Sequence, residues 1–326
     1  MSAEDVRVVA GVDLGGTNLR VAVVDQWGST AGFVTCPTEP SSGPESVIGR
    51  IVSMIRRSLA QANIYESSLM AVGVGAPGPL DAIAGVIHEA PTNLPGWTDI
   101  RLADRISAAL GVPVFLEKDA NAAALAEFRY GKNCGIANML YITVSTGVGG
   151  GLIMNRELWR GAYGTAGEFG HMTVDFEGAL CRCGNRGCIQ KIASGPNIVA
   201  WVVSQISSGE TSLVSEGVEN GVLSGRDVVR AALNGDELCV AALDRAGRAV
   251  GFGIVSMAHL VNLELVVVGG GIANAGALLL DPIMQTVSNH GLGSTVSSLR
   301  VVPWSIGEEV GVLGAVASAY SRMVSG

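Results

Sequence analysis

Two segments of this sequence share one pattern, in which a short glycine-rich turn separates two apolar runs. The first is GVDLGGTNLRVAVVD, and the second begins at Met139 with MLYITVSTGVGGG. Each predicts two antiparallel strands joined by a tight turn. Two such hairpins predict two lobes built on related plans. The length agrees with this, because 326 residues exceed the range of about 250–300 that one core usually holds.

Around the hairpins, predicted strands alternate with predicted helices. Val112–Leu116 is an apolar run suited to a buried strand, and Ala120–Phe128 has strong helix propensity. Another strand, Leu265–Val268, runs into three glycines, and Val310–Met323 predicts a closing helix. This alternation predicts α/β lobes with the ligand in the cleft between them.

Composition argues against several classes of protein. A net charge of −8 disfavours binding to nucleic acid through phosphates, which requires a basic face. The start, MSAEDVRVVA, carries acids where a signal peptide needs bases. Polar residues interrupt the apolar segment Gly251–Gly271, which predicts core elements and not a membrane span. We therefore expect a soluble, cytoplasmic protein.

The first glycine turn has the groups that a phosphate requires. Gly15 and Gly16 allow backbone N–H groups to approach phosphate oxygens closely, and Thr17 adds a hydroxyl. Asp13 is a candidate ligand for Mg²⁺, directly or through water. A plain β-hairpin explains the same residues.

Two more glycine-rich turns follow buried strands. One offers the hydroxyl of Thr146 and the bare backbone of Gly147 and Gly149. The other, Gly269–Gly271, offers backbone against which an adenine or ribose can lie. Three such turns favour a nucleoside triphosphate, which needs contacts along its length. The chain has no GxxxxGK[ST] motif, and no GxGxxG opens a helix after the first strand.

A carboxylate, Asp119, stands between the strand Val112–Leu116 and an alanine-rich helix. In that position it can accept a proton from an attacking hydroxyl, and phosphoryl transfer requires mainly positioning, charge neutralisation and one such base. An aspartate before a helix is also a good N-cap, which is the structural alternative.

Three cysteines crowd into CRCGNRGC, and a histidine lies ten residues upstream of the first. This spacing, in a chain without a secretion signal, indicates a metal site and not a disulfide framework. The set predicts a structural, tetrahedral Zn²⁺ site with the ligands His171, Cys181, Cys183 and Cys188. Core thiols are predicted for the isolated cysteines, Cys36, Cys134 and Cys239.

Eight motifs occur in the order seen in the ROK family of sugar kinases, which the sequence resembles from about Val8 to Ala315. They are GVDLGGTNLRVAVVD, GVGAPGPLD, LPGW, DANAAALAE, TGVGGG, GEFGHMTVD, CRCGNRGC and VVVGGGIANAG. The resemblance implies the two-lobed hexokinase/actin-like (ribonuclease H-like) fold, with ATP and a sugar in the cleft, and frequently a homodimer. We expect residues 1–118 and 310–326 in one lobe, and 119–309 with the zinc loop in the other.

The resemblance also implies roles for individual residues. Asp119 corresponds to the general base for the primary hydroxyl of the sugar, usually O6. Contacts to the sugar are implied for Gly78, Asn93, Glu168 and His171. Contacts to the nucleotide are implied for Gly15, Gly16, Thr17, Thr146, Gly147, Gly149, Gly269, Gly270 and Gly271.

Two positions depart from the family pattern, in which an asparagine and a glutamate contact sugar hydroxyls. This chain has Lys118 and Gln190 there, which adds about two units of positive formal charge. The change predicts a substrate that presents an acceptor, such as a modified sugar or a valiolone-type cyclitol ketone with a C7-hydroxyl. If Lys118 points away, toward Glu117 or solvent, glucose-type specificity remains.

The expected function is therefore ATP-dependent phosphorylation of the 6-type hydroxyl of a hexose or hexose-like substrate. ROK proteins also include repressors, which carry a helix-turn-helix region ahead of the phosphate motif. Here Asp13 lies near the start of an acidic chain, which disfavours a repressor. A sensor that binds sugar without phosphorylating it is disfavoured because Asp13 and Asp119 are both present. Polyphosphate as the donor stays open.

Overall fold

The computed structural model describes residues 7–89, 94–133 and 135–325. The chain forms two compact units. The first unit comprises the described residues of Met1–Gly135, Arg160–Ala166 and Ser305–Gly326, and the second comprises Ile136–Trp159 and Gly167–Trp304.

The strands, in chain order, are β1 Val8–Leu14, β2 Asn18–Val24, β3 Thr30–Pro37, β4 Leu69–Ala76, β5 Leu80–Asp81, β6 Val86–Glu89, β7 Thr98–Ile100, β8 Val114–Lys118, β9 Met139–Val144, β10 Val148–Met154, β11 Glu157–Leu158, β12 Leu265–Gly269 and β13 Arg300–Pro303. The helices are α1 Pro44–Gln61, α2 Leu102–Leu110, α3 Asp119–Tyr130, α4 Gln190–Ala193, α5 Gly195–Ser207, α6 Ser215–Glu219, α7 Gly225–Leu233, α8 Glu237–Val261, α9 Ala277–His290, α10 Gly293–Val296 and α11 Val310–Ser325.

The two units repeat one sheet topology. The first sheet has the strand order β3-β2-β1-β4-β8, and the second has β11-β10-β9-β12-β13. In each, the first three strands along the chain pair antiparallel, and the last two add in parallel. The two glycine-turn hairpins, β1–β2 and β9–β10, therefore occupy equivalent positions. The predicted hairpins and the prediction of two related α/β lobes are confirmed.

The core of the first unit depends on glycines at which backbones approach closely. A Cβ at Gly11 in β1 or Gly73 in β4 would collide with carbonyl oxygens of α11, and a Cβ at Gly314 in α11 would collide with the Ala122 carbonyl in α3. Because the added atom would meet backbone, no side-chain rotation would relieve the collision. These contacts fix α11 against the sheet and against α3.

The boundary of the first unit differs from the predicted division at 118/119, because α3 belongs with α11. The carboxylate of Glu127 in α3 is 1% exposed. It accepts hydrogen bonds from the Ser305 N–H (2.6 Å), the Ser305 hydroxyl (2.7 Å) and the Ile306 N–H (3.0 Å). The segment that leads into α11 is therefore attached to α3, and the first unit extends through Gly135 and also includes Arg160–Ala166.

The apolar segment Gly251–Gly271 is divided between two elements. Its first part lies in α8, which ends before Asn262, a residue in the left-handed conformation (φ 51°). Its second part contains β12, whose five residues are all buried. Among the helices that the structure describes, none has both the length and the apolar character needed to cross a membrane.

We expect Gly314→Ala to lower the free energy of unfolding by about 1–3 kcal/mol, because the added methyl group is forced against the Ala122 backbone. The control is Gly49→Ala on the exposed side of α1, where an added Cβ meets no atom within 4 Å. That change should stabilise the protein, by up to about 1 kcal/mol, through helix propensity. Urea unfolding of both variants measures the difference, and equal stabilities would contradict the packing argument.

Candidate active site

Three candidate residues lie along one edge of the first sheet. In the parallel register, Asp13 of β1 pairs with Gly75 of β4, and Ala76 pairs with Lys118 of β8. The loop that contains Gly78 leaves this edge, and Asp119 follows β8 directly. The carboxyl ends of parallel strands are where α/β proteins bind ligands. The structure thus brings Asp13, Gly78 and Asp119 to the expected edge.

Asp13 forms an ion pair that the sequence analysis missed. Arg20 Nη1 donates to Asp13 Oδ2 at 3.0 Å, and the two side chains are 27% and 19% exposed. Burial raises the pKa of the Asp13 carboxyl, and the guanidinium of Arg20 opposes that rise. The hairpin register offered the missing signal, since a turn at residues 15–17 places positions 13 and 20 opposite each other.

The first glycine turn is held by a hydrogen bond within the turn and by Thr38, the residue that follows β3. The Gly15 N–H donates to the Asn18 carbonyl at 3.1 Å, so this N–H is already engaged and is a poorer phosphate donor than the sequence suggested. The Thr38 hydroxyl donates to the Gly15 carbonyl at 2.7 Å, and the Thr38 N–H donates to the Thr17 carbonyl at 2.9 Å. Gly16 is half-buried and Thr17 is exposed, which leaves these two residues for ligand contact.

Asp119 is the first residue of α3 and its side chain is exposed. The N-cap position belongs to Lys118, whose backbone is extended (φ −65°, ψ 139°). Asp119 Oδ1 accepts from the Ala120 N–H at 2.7 Å. The carboxylate thus lies at the N-terminus of α3, where the helix dipole interacts favourably with a negative charge. This placement suits a base that must meet a substrate.

Beside Asp119, the inward-facing Glu117 is held by a buried network. Its carboxylate is 1% exposed, and Arg160 Nε and Nη2 donate to Oε2 at 3.0 and 2.6 Å. Asn121 Nδ2 and the Lys118 N–H donate to Oε1 at 2.9 and 3.1 Å. Charge-assisted hydrogen bonds such as these two, which both reach one oxygen of the carboxylate, are stronger than bonds between neutral groups. No local sequence pattern indicates this pair, because its partners lie 43 residues apart.

The second glycine turn joins β9 to β10. The Ser145 N–H donates to the Gly147 carbonyl at 2.8 Å, and the Ser145 carbonyl accepts from the Gly195 N–H at 2.8 Å. Thr146 and Gly147 are exposed at the tip of the turn, and Gly149 lies in β10 opposite Thr143. The tip therefore offers the groups that a phosphate requires.

The third glycine run corrects an expectation. Gly269 and Gly270 are buried. A Cβ at Gly270 would lie 2.5 Å from the Val144 carbonyl oxygen, and one at Gly269 would meet the side chains of Tyr141 and Trp304. These two glycines serve close packing against β9 and its surroundings, so they do not present bare backbone to an adenine. Gly271 is half-buried and is left as the candidate contact.

The four predicted metal ligands meet in one cluster. The ligand atoms of His171, Cys181, Cys183 and Cys188 all lie within 4.8 Å of one another. Cys183 and Cys188 Sγ are 3.6 Å apart, and Cys181 Sγ lies 3.7 Å from His171 Nδ1. Zn–S bonds of 2.3 Å at tetrahedral angles give S···S separations of about 3.8 Å. The residues therefore fit Zn²⁺.

The pKa values of two thiols in the cluster are shifted in opposite directions. Burial raises the pKa of Cys181, but hydrogen bonds from Cys183, Cys188 and Gln190 outweigh it and set the pKa at about 6. Burial raises the pKa of Cys188 to about 12, so a metal ion would have to displace that proton. The loop is held by bridges between Thr173 and Cys188 and between Leu180 and Arg186.

The GEFGH motif lies beside the second turn. Phe169 is buried against Gly150 of β10, and Gly170 packs on the Val148 carbonyl. His171 presents Nδ1 to the cysteines, and its Nε2 lies 4.0 Å from Glu168 Oε2. Two of the predicted sugar-contact residues, Glu168 and His171, are thus neighbours of the metal cluster. Two residues with predicted roles, Asn93 and Cys134, lie outside the described residues.

We expect Arg20→Met to destabilise the protein by about 2 kcal/mol at neutral pH, because the Asp13 carboxylate loses its charged partner. The pKa of the Asp13 carboxyl is raised in the folded protein. Ionisation of this carboxyl therefore destabilises the folded state as the pH rises through that pKa. The deficit should therefore shrink as the pH falls through the raised pKa. Urea unfolding of the variant and the wild-type chain at several pH values measures this difference in stability. A difference that does not change with pH would contradict the assigned ion pair between Asp13 and Arg20. Arg56→Met, which breaks an exposed pair with Glu66, is the control.

Comparison with known proteins agrees with this geometry. The ROK family model matches residues 9–322. The glucokinase of Halalkalibacterium halodurans is 34% identical over 94% of this chain and 93% of its own length. A xylose repressor of Caldicellulosiruptor bescii is 26% identical over 99% of this chain and 80% of its own length.

Solved structures match over nearly the whole chain. The ROK hexokinase of Thermus thermophilus has a TM-score of 0.79 and 32% identity, over 98% of this chain and 100% of its own. A ROK glucokinase of Streptomyces griseus, in complex with glucose and AMPPNP, has a TM-score of 0.80 and 32% identity, over 95% and 98% of the two chains. The fold is therefore the two-lobed hexokinase/actin-like one, as expected, and the chain belongs to the ROK family.

Proposed function

We propose that the chain is an ATP-dependent sugar kinase that phosphorylates the primary, 6-type hydroxyl of a hexose or hexose-like substrate, with Asp119 as the general base. One observation carries the proposal. The exposed Asp119 carboxylate stands at the sheet edge that also bears Asp13 and the first glycine turn. The likeness to glucokinases, one of them bound to glucose and AMPPNP, supports this chemistry.

Different residues have different roles in the proposed reaction. Asp119 accepts the proton of the attacking hydroxyl, and its hydrogen bond from the Ala120 N–H fixes its direction. In a loose phosphoryl-transfer transition state this orientation matters more than base strength. The exposed Thr17, Thr146 and Gly147 are proposed to hold the phosphates.

Two metal ions belong to the proposal. Mg²⁺ would neutralise phosphate charge, and Asp13 is its candidate holder. Because Arg20 already neutralises the Asp13 carboxylate, Asp13 suits Mg²⁺ better through a water molecule than as a direct ligand. Zn²⁺ would hold the loop that carries Glu168 and His171. A homodimer, which the family resemblance implies, also stays a proposal.

A second candidate substrate rests on Lys118. This residue ends β8 next to Asp119 and is half-buried. An ammonium donates hydrogen bonds and does not accept them, so Lys118 suits a substrate with an acceptor beside the reacting hydroxyl. A valiolone-type cyclitol ketone with a C7-hydroxyl has that arrangement.

We expect Asp119→Asn to lower kcat about 10²- to 10⁴-fold with little change in the KM of the sugar, because the amide cannot take the proton. ADP release, with and without each candidate sugar, measures this. Asp281→Asn, at an exposed position of α9, is the matched control. Full turnover in Asp119→Asn would show that Asp119 is not the general base. A wild-type chain that binds sugar but releases no sugar-dependent ADP is a sensor.

We expect Lys118→Asn to raise kcat/KM for glucose and to lower it for a cyclitol ketone, each by about tenfold, the effect of one good polar contact. The measurement is kcat/KM for glucose, N-acetylmannosamine and a C7-hydroxyl cyclitol ketone in both proteins. If the wild-type chain already phosphorylates glucose far better than any carbonyl-bearing analogue, Lys118 does not set specificity.

A further inference from the structure

Thr38 is a buried polar residue that bonds to the first glycine turn from outside it. It follows β3 and is 0% exposed. Its hydroxyl donates to the Gly15 carbonyl at 2.7 Å, and its backbone N–H donates to the Thr17 carbonyl at 2.9 Å. A single residue therefore holds two carbonyl groups of the turn.

The first of these bonds takes the place of one that a tight hairpin normally forms. The two residues that flank a two-residue hairpin loop usually exchange N–H···O bonds in both directions. Here the Gly15 N–H donates to the Asn18 carbonyl at 3.1 Å, but the Gly15 carbonyl is bonded to the Thr38 hydroxyl. Among the backbone hydrogen bonds of the described residues, none joins the Asn18 N–H to the Gly15 carbonyl. One side of the turn is therefore held open.

The direction of the N–H groups in the turn follows from the geometry of the peptide bond. In a trans peptide, the C=O of one residue and the N–H of the next point in opposite directions. The peptides that follow Gly15 and Thr17 are both trans. Because both carbonyls point to Thr38, the N–H groups of Gly16 and Asn18 point away from Thr38. Successive backbone N–H groups presented by a turn are a typical phosphate-binding arrangement.

We propose that Thr38 is a positioning residue for the nucleotide, which holds the Gly15 and Thr17 carbonyls so that the Gly16 and Asn18 N–H groups face the phosphates. The inference rests on the proposed kinase function, because there this turn holds phosphate. A carbonyl oxygen carries partial negative charge, so a turn in which either peptide rotated would present an acceptor to an anion. The hydroxyl of Thr38 prevents that rotation at Gly15.

Thr38 is itself held in place by α1. Arg50 Nη1 donates to the Thr38 carbonyl at 2.8 Å and to the Pro37 carbonyl at 3.0 Å. Arg50 also forms an ion pair with Glu39. Both backbone polar groups of Thr38 are thus bonded, and a β-branched side chain has few rotamers at χ1. The hydroxyl therefore has a fixed direction, which a ligand-binding turn can depend on.

The test compares Thr38→Val with Thr38→Ser in the full chain. Valine has nearly the shape of threonine but cannot donate, whereas serine keeps the hydroxyl. We expect the Kd of ADP with Mg²⁺, measured by isothermal titration calorimetry without sugar, to rise about tenfold in Thr38→Val, the effect of one hydrogen bond to a charged group. Thr38→Ser should bind ADP nearly as the wild-type chain does. In steady-state assays, Thr38→Val should raise the KM of ATP and leave the KM of the sugar unchanged.

Thr286→Val is the matched control. The Thr286 hydroxyl is also in a buried residue and also donates to a carbonyl at 2.7 Å, that of Pro282 in α9. This residue belongs to the second unit and is remote in sequence from all three glycine turns. The same loss of a buried hydrogen bond should therefore leave the Kd of ADP unchanged, even where it lowers the stability of the protein.

Three results would overturn the role of Thr38. They are an unchanged Kd of ADP in Thr38→Val, an equal rise in Thr38→Ser, and an equal rise in Thr286→Val. If the wild-type chain binds ADP but phosphorylates no sugar, the kinase function fails, and the calorimetric comparison still decides the role of Thr38. A wild-type chain that binds no ADP would overturn both. If Thr38→Val does not fold, Thr38→Ala takes its place in the comparison with Thr38→Ser.

Discussion

The close approach of α11 to β1, β4 and α3 is the contact on which the rest of the first unit depends. It exists only because Gly11, Gly73 and Gly314 carry no Cβ. The same approach places Gly311 of α11 against the Asp13 carboxylate, where an added Cβ would lie 2.5 Å from Cγ. Because α11 also fixes α3, both carboxylates of the proposed site take their positions from one glycine-lined interface.

The second unit positions its residues differently, through polar and metal-binding groups in irregular backbone. Its glycine turn is bonded to the start of α5, and the GEFGH segment packs on the strand that follows the turn. Regular secondary structure contributes little to the loop between His171 and Cys188. A bound Zn²⁺ would give this loop the rigidity that so short a segment cannot obtain from hydrophobic packing. The two units thus rely on different physical means of fixing a side chain.

Local patterns in the sequence were sufficient to predict the hairpins, the helix after Asp119 and the ligand spacing of the cysteine cluster. The features that local patterns could not predict depend on tertiary contacts. A glycine at a strand end has the same sequence signature whether ligand or protein covers it, which is why Gly269 and Gly270 were assigned to the nucleotide. Arg160 and Glu117 are joined only by the fold, and the assignment of α3 to the first unit depends on α11, far along the chain.

The late position of α11 in the chain has a consequence for folding during synthesis. The ribosome completes β1, β4 and α3 long before α11, and the whole second unit lies between them in sequence. The glycine-lined face of the first sheet stays uncovered through that interval, and exposed apolar surface favours aggregation. Every element of the second unit is thus synthesised before α11 is available to complete the core of the first unit.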